Sequence, residues 1–269
     1  MCSSDLNEST LNRSTFDLRD KTLISIPRAK VQSIEITNDG KTVLLAKKEK
    51  EWRVSRPVDA RADYSSSEAI VGRIEAAQMK AIVGDNVPAS DLKQYGLDKP
   101  VVRVVMNFEG SPAATLELGS EAGADAVYAR DASKPAVVTV EKSLLNDLKK
   151  DADDYRRRDV FEFRAFNASR AELVWGGKTM TIERVKGEGD KPDTWKRVAP
   201  SEKELEKEKV ETLLTGLADI RATSFRESKA GTGLDTPALT VYMKYDQSRS
   251  EERASFGQDR KSTRLNSSH

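Results

Sequence analysis

The chain carries almost none of the side chains that do covalent or metal chemistry. It has one Cys and one His, Cys2 and His269, and both lie at the extreme ends. Catalysis of the Ser/His or Cys/His kind needs a base poised near neutrality, and residues 7–258 supply no imidazole and no thiol. Structural zinc draws on the same two residue types, and a single Cys rules out a disulfide framework. Carboxylate chemistry is what remains. Two acids recur in one local setting: Asp98 in Gly96-Leu-Asp-Lys-Pro100 and Asp235 in Gly233-Leu-Asp-Thr-Pro237. Asp in such a turn commonly caps or hydrogen-bonds backbone, so a structural role is expected for both. No catalytic, cofactor-binding or metal-binding residue is assigned, and no cofactor is expected.

Four other features have a chemical and a plain reading. Trp52 and Trp195 could stack on a sugar or a partner, but a strand Trp at a repeated position reads as sheet packing. Arg156-Arg157-Arg158 could meet phosphate, yet Asp151, Asp153 and Asp154 lie beside it, which favours a neutralised, solvated run. The glycines of Gly187–Asp190 lack the following Lys-Ser/Thr and helix of a phosphate loop. Lys203–Lys209, alternating with Glu, predicts a wet helix face supported by i,i+4 pairs.

The charge balance agrees with this. There are 45 basic and 44 acidic side chains, a net charge of +1. A general nucleic-acid binder would show a basic excess, so no nucleic-acid partner is expected. No apolar run approaches the ~18 residues of a spanning helix. The two ends read as foreign to the protein. Asp259–His269 reads as the translation of a common sequencing-library adapter and residues 1–6 fit its reverse strand, which is favoured over two ordinary polar tails, so Cys2 and His269 are expected to lie in adapter-derived tails. Both tails are expected to be dispensable, and a membrane anchor could have been lost ahead of the fragment.

An internal repeat organises the rest. Asp17-Leu-Arg19 recurs as Asp154-Tyr-Arg156, and Gly40-Lys-Thr42 as Gly177-Lys-Thr179, at an offset of 137. Trp52 with Pro57 matches Trp195 with Pro200 at 143, because the second copy has a longer loop. The offset returns to 137 at Gly96 and Gly233. The expected organisation is a tail at 1–6, the end of a preceding unit at 7–26, a first unit at 27–163, a second, truncated unit at 164–258, and a tail at 259–269. The two units are expected to superpose, with the second less stable because its last strand, Arg253–Phe256, becomes an open edge.

Each unit predicts the same elements. In Val31–Thr37 the apolar Ile34 and Ile36 alternate with polar residues, the mark of a half-buried strand. Asn38-Asp39-Gly40 is a hairpin signal, leading to Val43–Lys47 and a short strand from Trp52 to near Pro57. Ser65 with Glu68 reads as a capping box opening a helix whose apolar face is Ile70, Ile74, Ala77 and Ala81. In the second copy the stripe is Val210, Leu213, Leu214, Leu217 and Ile220. Four strands follow the Gly-Leu-Asp element, Val101–Phe108, Ala114–Leu118, Val127–Arg130 and Val137–Val140, then a short helix capped by Ser143. Val160–Phe163 reads as the first strand of the second unit. The fold class is α+β: tandem β-rich units, each an antiparallel sheet with one main amphipathic helix.

The series Arg-Asp-Lys, Trp…Pro, amphipathic helix, Tyr95-Gly-Leu-Asp-x-Pro100 and Leu118-Gly119 followed by Val127-Tyr128-Ala129 resembles the bacterial domain-of-unknown-function family 4340, over roughly residues 17–258. The second copy departs from it at Thr232, where the first has Tyr95. The resemblance implies an exported protein, often held by an N-terminal membrane segment, and an auxiliary role beside ABC transporters of the gliding-motility type. It carries over no catalytic residue. The expected function is therefore a non-enzymatic, extracytoplasmic interaction or accessory subunit with a protein partner in the cell envelope. A carbohydrate- or envelope-binding module is the alternative, and a hydrolase using carboxylates alone is third.

Overall fold

A computed structural model describes residues 16–189, 191–228 and 230–258. The expected tails, with Cys2 and His269, lie outside the described residues. The chain forms two compact units, dividing between Arg157 and Arg158. The class is α+β.

The first unit is built on a nine-stranded antiparallel sheet. Its strands are β1 (Val31–Asn38), β2 (Lys41–Lys48), β3 (Glu51–Arg56), β4 (Ala60–Arg61), β5 (Ala81–Gly84), β6 (Val102–Phe108), β7 (Ser111–Glu121), β8 (Ala126–Asp131) and β9 (Val137–Glu141). Their order across the sheet is β4-β3-β2-β1-β6-β7-β8-β9-β5. Helix α1 (Tyr64–Glu75) connects its two arms, and α2 (Lys142–Leu148) and α3 (Ala152–Tyr155) close the unit. The alternation in β1 buries Ile34 and Ile36 in one core with Leu45, Val54, Ile70, Ile74 and Met106. The β1–β2 turn needs two left-handed residues, and Asp39 (φ 47°) and Gly40 (φ 78°) supply them.

The second unit has a six-stranded sheet of β10 (Ala168–Trp175), β11 (Lys178–Val185), β12 (Thr194–Ala199), β13 (Lys203–Leu205), β14 (Leu239–Tyr245) and β15 (Ser250–Phe256), with helix α4 (Lys207–Ala218). Its order, β13-β12-β11-β10-β14-β15, follows that of β4-β3-β2-β1-β6-β7. The registers correspond as well. Ile34 sits opposite Met106 and Ala171 opposite Met243, and the irregularity between Val31 and Ser33 is matched between Ala168 and Arg170. Lys47 pairs with Trp52, and Arg184 with Trp195. Both Arg56–Pro57 and Ala199–Pro200 are cis.

Several local readings are corrected. The cap of α1 is Asp63, whose carboxylate accepts from the Ser66 N–H at 2.8 Å, so Ser65 falls inside the first turn and Glu68 is free for other work. That helix ends at Glu75, and Ala81 opens β5, a strand paired with β9 that local periodicity did not reveal. Glu141, rather than Ser143, stands at the cap position of α2, and the Ser143 hydroxyl donates back to its carboxylate. Lys203–Lys209 splits into β13 and the start of α4, with Lys207–Glu211 as an i,i+4 pair.

Val160–Phe163 forms no strand. Its backbone is satisfied instead by the Glu252 carboxylate, which accepts from the Glu162 N–H at 2.9 Å and the Phe163 N–H at 3.3 Å, and by the Ile220 carbonyl. Phe161 and Phe163 are buried in the second core, which is why the division falls ahead of them rather than at 163. Leu214 and Leu217 are buried like Ile70 and Ile74, so the helix face of the second unit is covered, Leu213 being only partly so.

Gly119 and Gly216 should respond oppositely to alanine. A Cβ on Gly119 would collide with the Tyr95 carbonyl oxygen, whereas one on helical Gly216 meets nothing within 4 Å. Urea denaturation should show Gly119→Ala losing about 1–3 kcal/mol and Gly216→Ala gaining about 0.5–1 kcal/mol.

Candidate functional site

The two buried tryptophans, Trp52 and Trp195, each stand in a cluster of charged groups. Trp52 on β3 is buried, and its indole N–H donates to Glu68 Oε1 on α1 at 2.9 Å. Lys47, its partner across β2–β3, places its ammonium 4.7 Å above the ring and 3.6 Å from the same carboxylate. Arg28, in the single 3-10 turn before β1, reaches Glu68 at 3.4 Å and Glu75 at 3.3 Å. Burial pushes the Glu68 carboxyl upward, but the Trp52 hydrogen bond, the Lys47 charge and Arg28 together outweigh it and leave the pKa below the ordinary value. Glu68 is therefore a fixed anion, poorly suited to proton transfer near neutrality.

Trp195 is buried in the same way, with the Arg184 guanidinium 5.0 Å over its ring. Arg184 also donates to the carbonyls of Ala165 (2.7 Å) and Phe166 (2.8 Å). One face of each indole is thus covered by a cation of its own strand pair, and neither is open to stack on a sugar. Lys47, Arg184 and Glu68 were missed as cluster residues from sequence. The signal was there, since Lys47 and Arg184 share the 137 offset, and Glu68 and Glu211 the 143 offset, of the repeat.

The Gly-Leu-Asp elements are backbone devices. Gly96 (φ 67°) and Gly233 (φ 71°) are left-handed, and Leu97 is buried beneath the first turn. Tyr95, on the 3-10 segment Ala89–Tyr95, packs its ring 4.9 Å from that of Tyr128. Asp98 and Asp235 are both exposed, and the expected backbone capping by these acids does not occur. The first turn is closed by main chain instead, with the Leu97 N–H donating to the Leu92 carbonyl. The two carboxylates stand in separate units.

The arginine run is structural rather than merely solvated. Arg156 pairs with Asp153 at 3.2 Å, the Arg157 N–H donates to the Arg61 carbonyl, and Arg158 donates to the carbonyls of Ala222 and Thr223. Gly187 donates its N–H to the Asp193 carboxylate inside a loop. Among the described residues no group of three His, Cys, Asp or Glu is arranged to hold a metal ion, and no helix is long and apolar enough to cross a membrane. A cleft of about 540 Å³ lies beside α1, lined by Ser65, Ile70, Arg73, Asp147 and Tyr155 among others. The Tyr155 hydroxyl is buried without a hydrogen-bond partner, and burial, then Asp154 and Asp147, raise its pKa. It stays protonated and is no nucleophile.

The remaining feature is an edge. β15 is seven residues long and ends the second sheet, whereas the edges of the first sheet, β4 and β5, have two and four. Along β15, Glu251 pairs with Lys244 and Arg253 lies over the Tyr242 ring, while Glu252 turns inward to the Glu162 and Phe163 amides.

A family model described as "Domain of unknown function (DUF4340)" matches residues 52–237. The chain belongs to this family. The DUF4340 match opens at Trp52 and closes at Pro237, so both buried tryptophans and both Gly-Leu-Asp-x-Pro turns fall within it. No curated protein and no solved structure matches the chain.

Because the folded pKa of Glu68 is depressed, its contribution to stability is present above the ordinary carboxylate pKa and is lost as pH falls through the lower folded value. Thermal melts between pH 6 and pH 2 should show this acid loss reduced in Glu68→Gln relative to the parent. An unchanged pH profile in the variant would remove Glu68 as its source.

Proposed function

We propose that this DUF4340 chain is a non-enzymatic interaction module of the extracytoplasmic cell envelope, an accessory part of a larger assembly such as an ABC transporter of the gliding-motility type. We also read its two units as a tandem duplication, in which one scaffold is used twice. The observation that carries the interaction reading is that the charged groups around Trp52 and Trp195 are spent on their own frameworks, which leaves recognition at the surface rather than chemistry in a site. The polar clusters support a binding role over a catalytic one, since each is consumed in holding its own unit together. The duplication reading is supported by the corresponding registers, buried tryptophans and left-handed glycines.

The intact gene product, isolated from the extracytoplasmic fraction with its cross-linked partners, provides the test. Transporter subunits should co-purify with it. Surface amides of the chain should exchange more slowly in that complex than in the chain alone. Unchanged exchange throughout, or a complex without transporter subunits, would overturn the respective half of the reading.

A further inference from the structure

The two units differ at one position where the first makes an internal ion pair. The turn before β1 is closed by Lys30 N–H to the Pro27 carbonyl at 2.8 Å, and the turn before β10 by Asn167 N–H to the Arg164 carbonyl at 3.1 Å. These residues are 137 apart, so Ala165 occupies the place of Arg28. Helices α1 and α4 correspond at an offset of 143, so Glu211 stands for Glu68, Thr215 for Gly72 and Ala218 for Glu75.

In the first unit the Arg28 guanidinium lies on the glycine of the helix, 3.2 Å from where a Gly72 Cβ would sit, and bridges Glu68 and Glu75. In the second unit Ala165 offers no such group. A cleft of about 440 Å³ occupies the corresponding place, lined by Arg164, Ala165, Phe166, Glu211, Thr215 and Asp219 among others. The side chain of Glu211 is 45% exposed against 19% for Glu68, and Phe166 stands 78% exposed. Of the nearby cations, Arg164 donates to the Phe163 carbonyl at 3.0 Å and Arg184 to the carbonyls of Ala165 and Phe166, while Lys207 pairs with Glu211 at 3.7 Å as an i,i+4 pair of the helix.

We propose that this cleft is a seat for an arginine side chain of a partner protein. In the first unit a planar guanidinium pairs with the carboxylate of the Glu68/Glu211 position; in the second, Thr215 stands where Gly72 lets Arg28 lie on the helix, so an incoming guanidinium would sit alongside the Thr215 side chain. Phe166 adds an aromatic face on which a guanidinium, more readily than an ammonium, can stack. Asp219 adds a second negative charge at the opening. Such an exposed pair binds weakly by itself and serves to select and orient a partner within a larger contact. The seat is built by α4 and the turn before β10.

The whole chain, titrated with N-acetyl-arginine amide and separately with N-acetyl-lysine amide while amide resonances are followed, provides the test. Arginine should give saturable shifts at Phe166, Glu211 and Thr215, with lysine at least about 3-fold weaker. Glu211→Gln should weaken arginine by about 2- to 5-fold. Ala165→Arg should fill the seat internally and abolish the shifts. Phe166→Ala serves if either variant fails to fold, and should weaken arginine more than lysine. Unsaturable shifts, equal response to lysine, or undiminished arginine binding in folded Ala165→Arg would each overturn the proposal.

Discussion

Each sheet is pinned to the segment that follows its helix by one close backbone approach. The carbonyl of Tyr95 lies where a side chain on Gly119 would have to be, and the carbonyl of Thr232 stands in the same relation to Gly257. No other residue type fits there without moving main chain. The contact fixes the left-handed turn at Gly96 or Gly233 against β7 or the residue after β15, and so sets where the chain re-enters the sheet at β6 or β14. The strand order then follows, because the re-entering strand has only the open side of β1 or β10 to pair with. Replacement of Tyr95 by Thr232 leaves this intact, since the approach uses only backbone.

How much of this was legible in sequence depends on the range of the contacts. Alternation in β1, the Asn-Asp-Gly turn and the glycine-proline spacing are local, and each appears where expected. The cap of α1 was misplaced by two residues because Asp63 and Ser65 both precede the apolar stripe, and only the Trp52 indole decides where Glu68 goes. β5 was invisible because four residues carry little pattern and its pairing with β9 spans more than fifty residues. Phe161 and Phe163 look like a strand by composition, yet their amides are satisfied by the side chain of Glu252. A carboxylate ninety residues away leaves no trace in local periodicity. For the candidate site, the repeated tryptophans were legible as packing residues, but the cations and acids around them required the fold.

The nearly equal numbers of acids and bases also acquire a place. On the sheets they meet across strands, as Arg56 with Glu35, Arg103 and Arg130 with Glu117, Arg170 with Glu183, and Lys244 with Glu251. Exposed pairs of this kind are worth only about 0–1 kcal/mol each. Their larger effect is on register, because a one-residue slip would set each carboxylate against the wrong neighbour and turn the core face outward. Glu117 goes further: it is buried between two arginines, and a carboxylate there without them would cost more than the pairs return.

What the two units share and where they part bears directly on function. The shared features are of the scaffold: left-handed glycines, covered indoles and corresponding bulges, all inaccessible or made of backbone. The differences fall at surfaces. Arg28 fills the place over Gly72 of α1, and Ala165 leaves the corresponding place beside α4 open. Surface departures of this kind can alter binding without disturbing the packed core, because the scaffold constrains everything else. Having Ala165 where the first unit has Arg28 leaves the core untouched, and it leaves Glu211, with Lys207 as its partner, beside the exposed ring of Phe166.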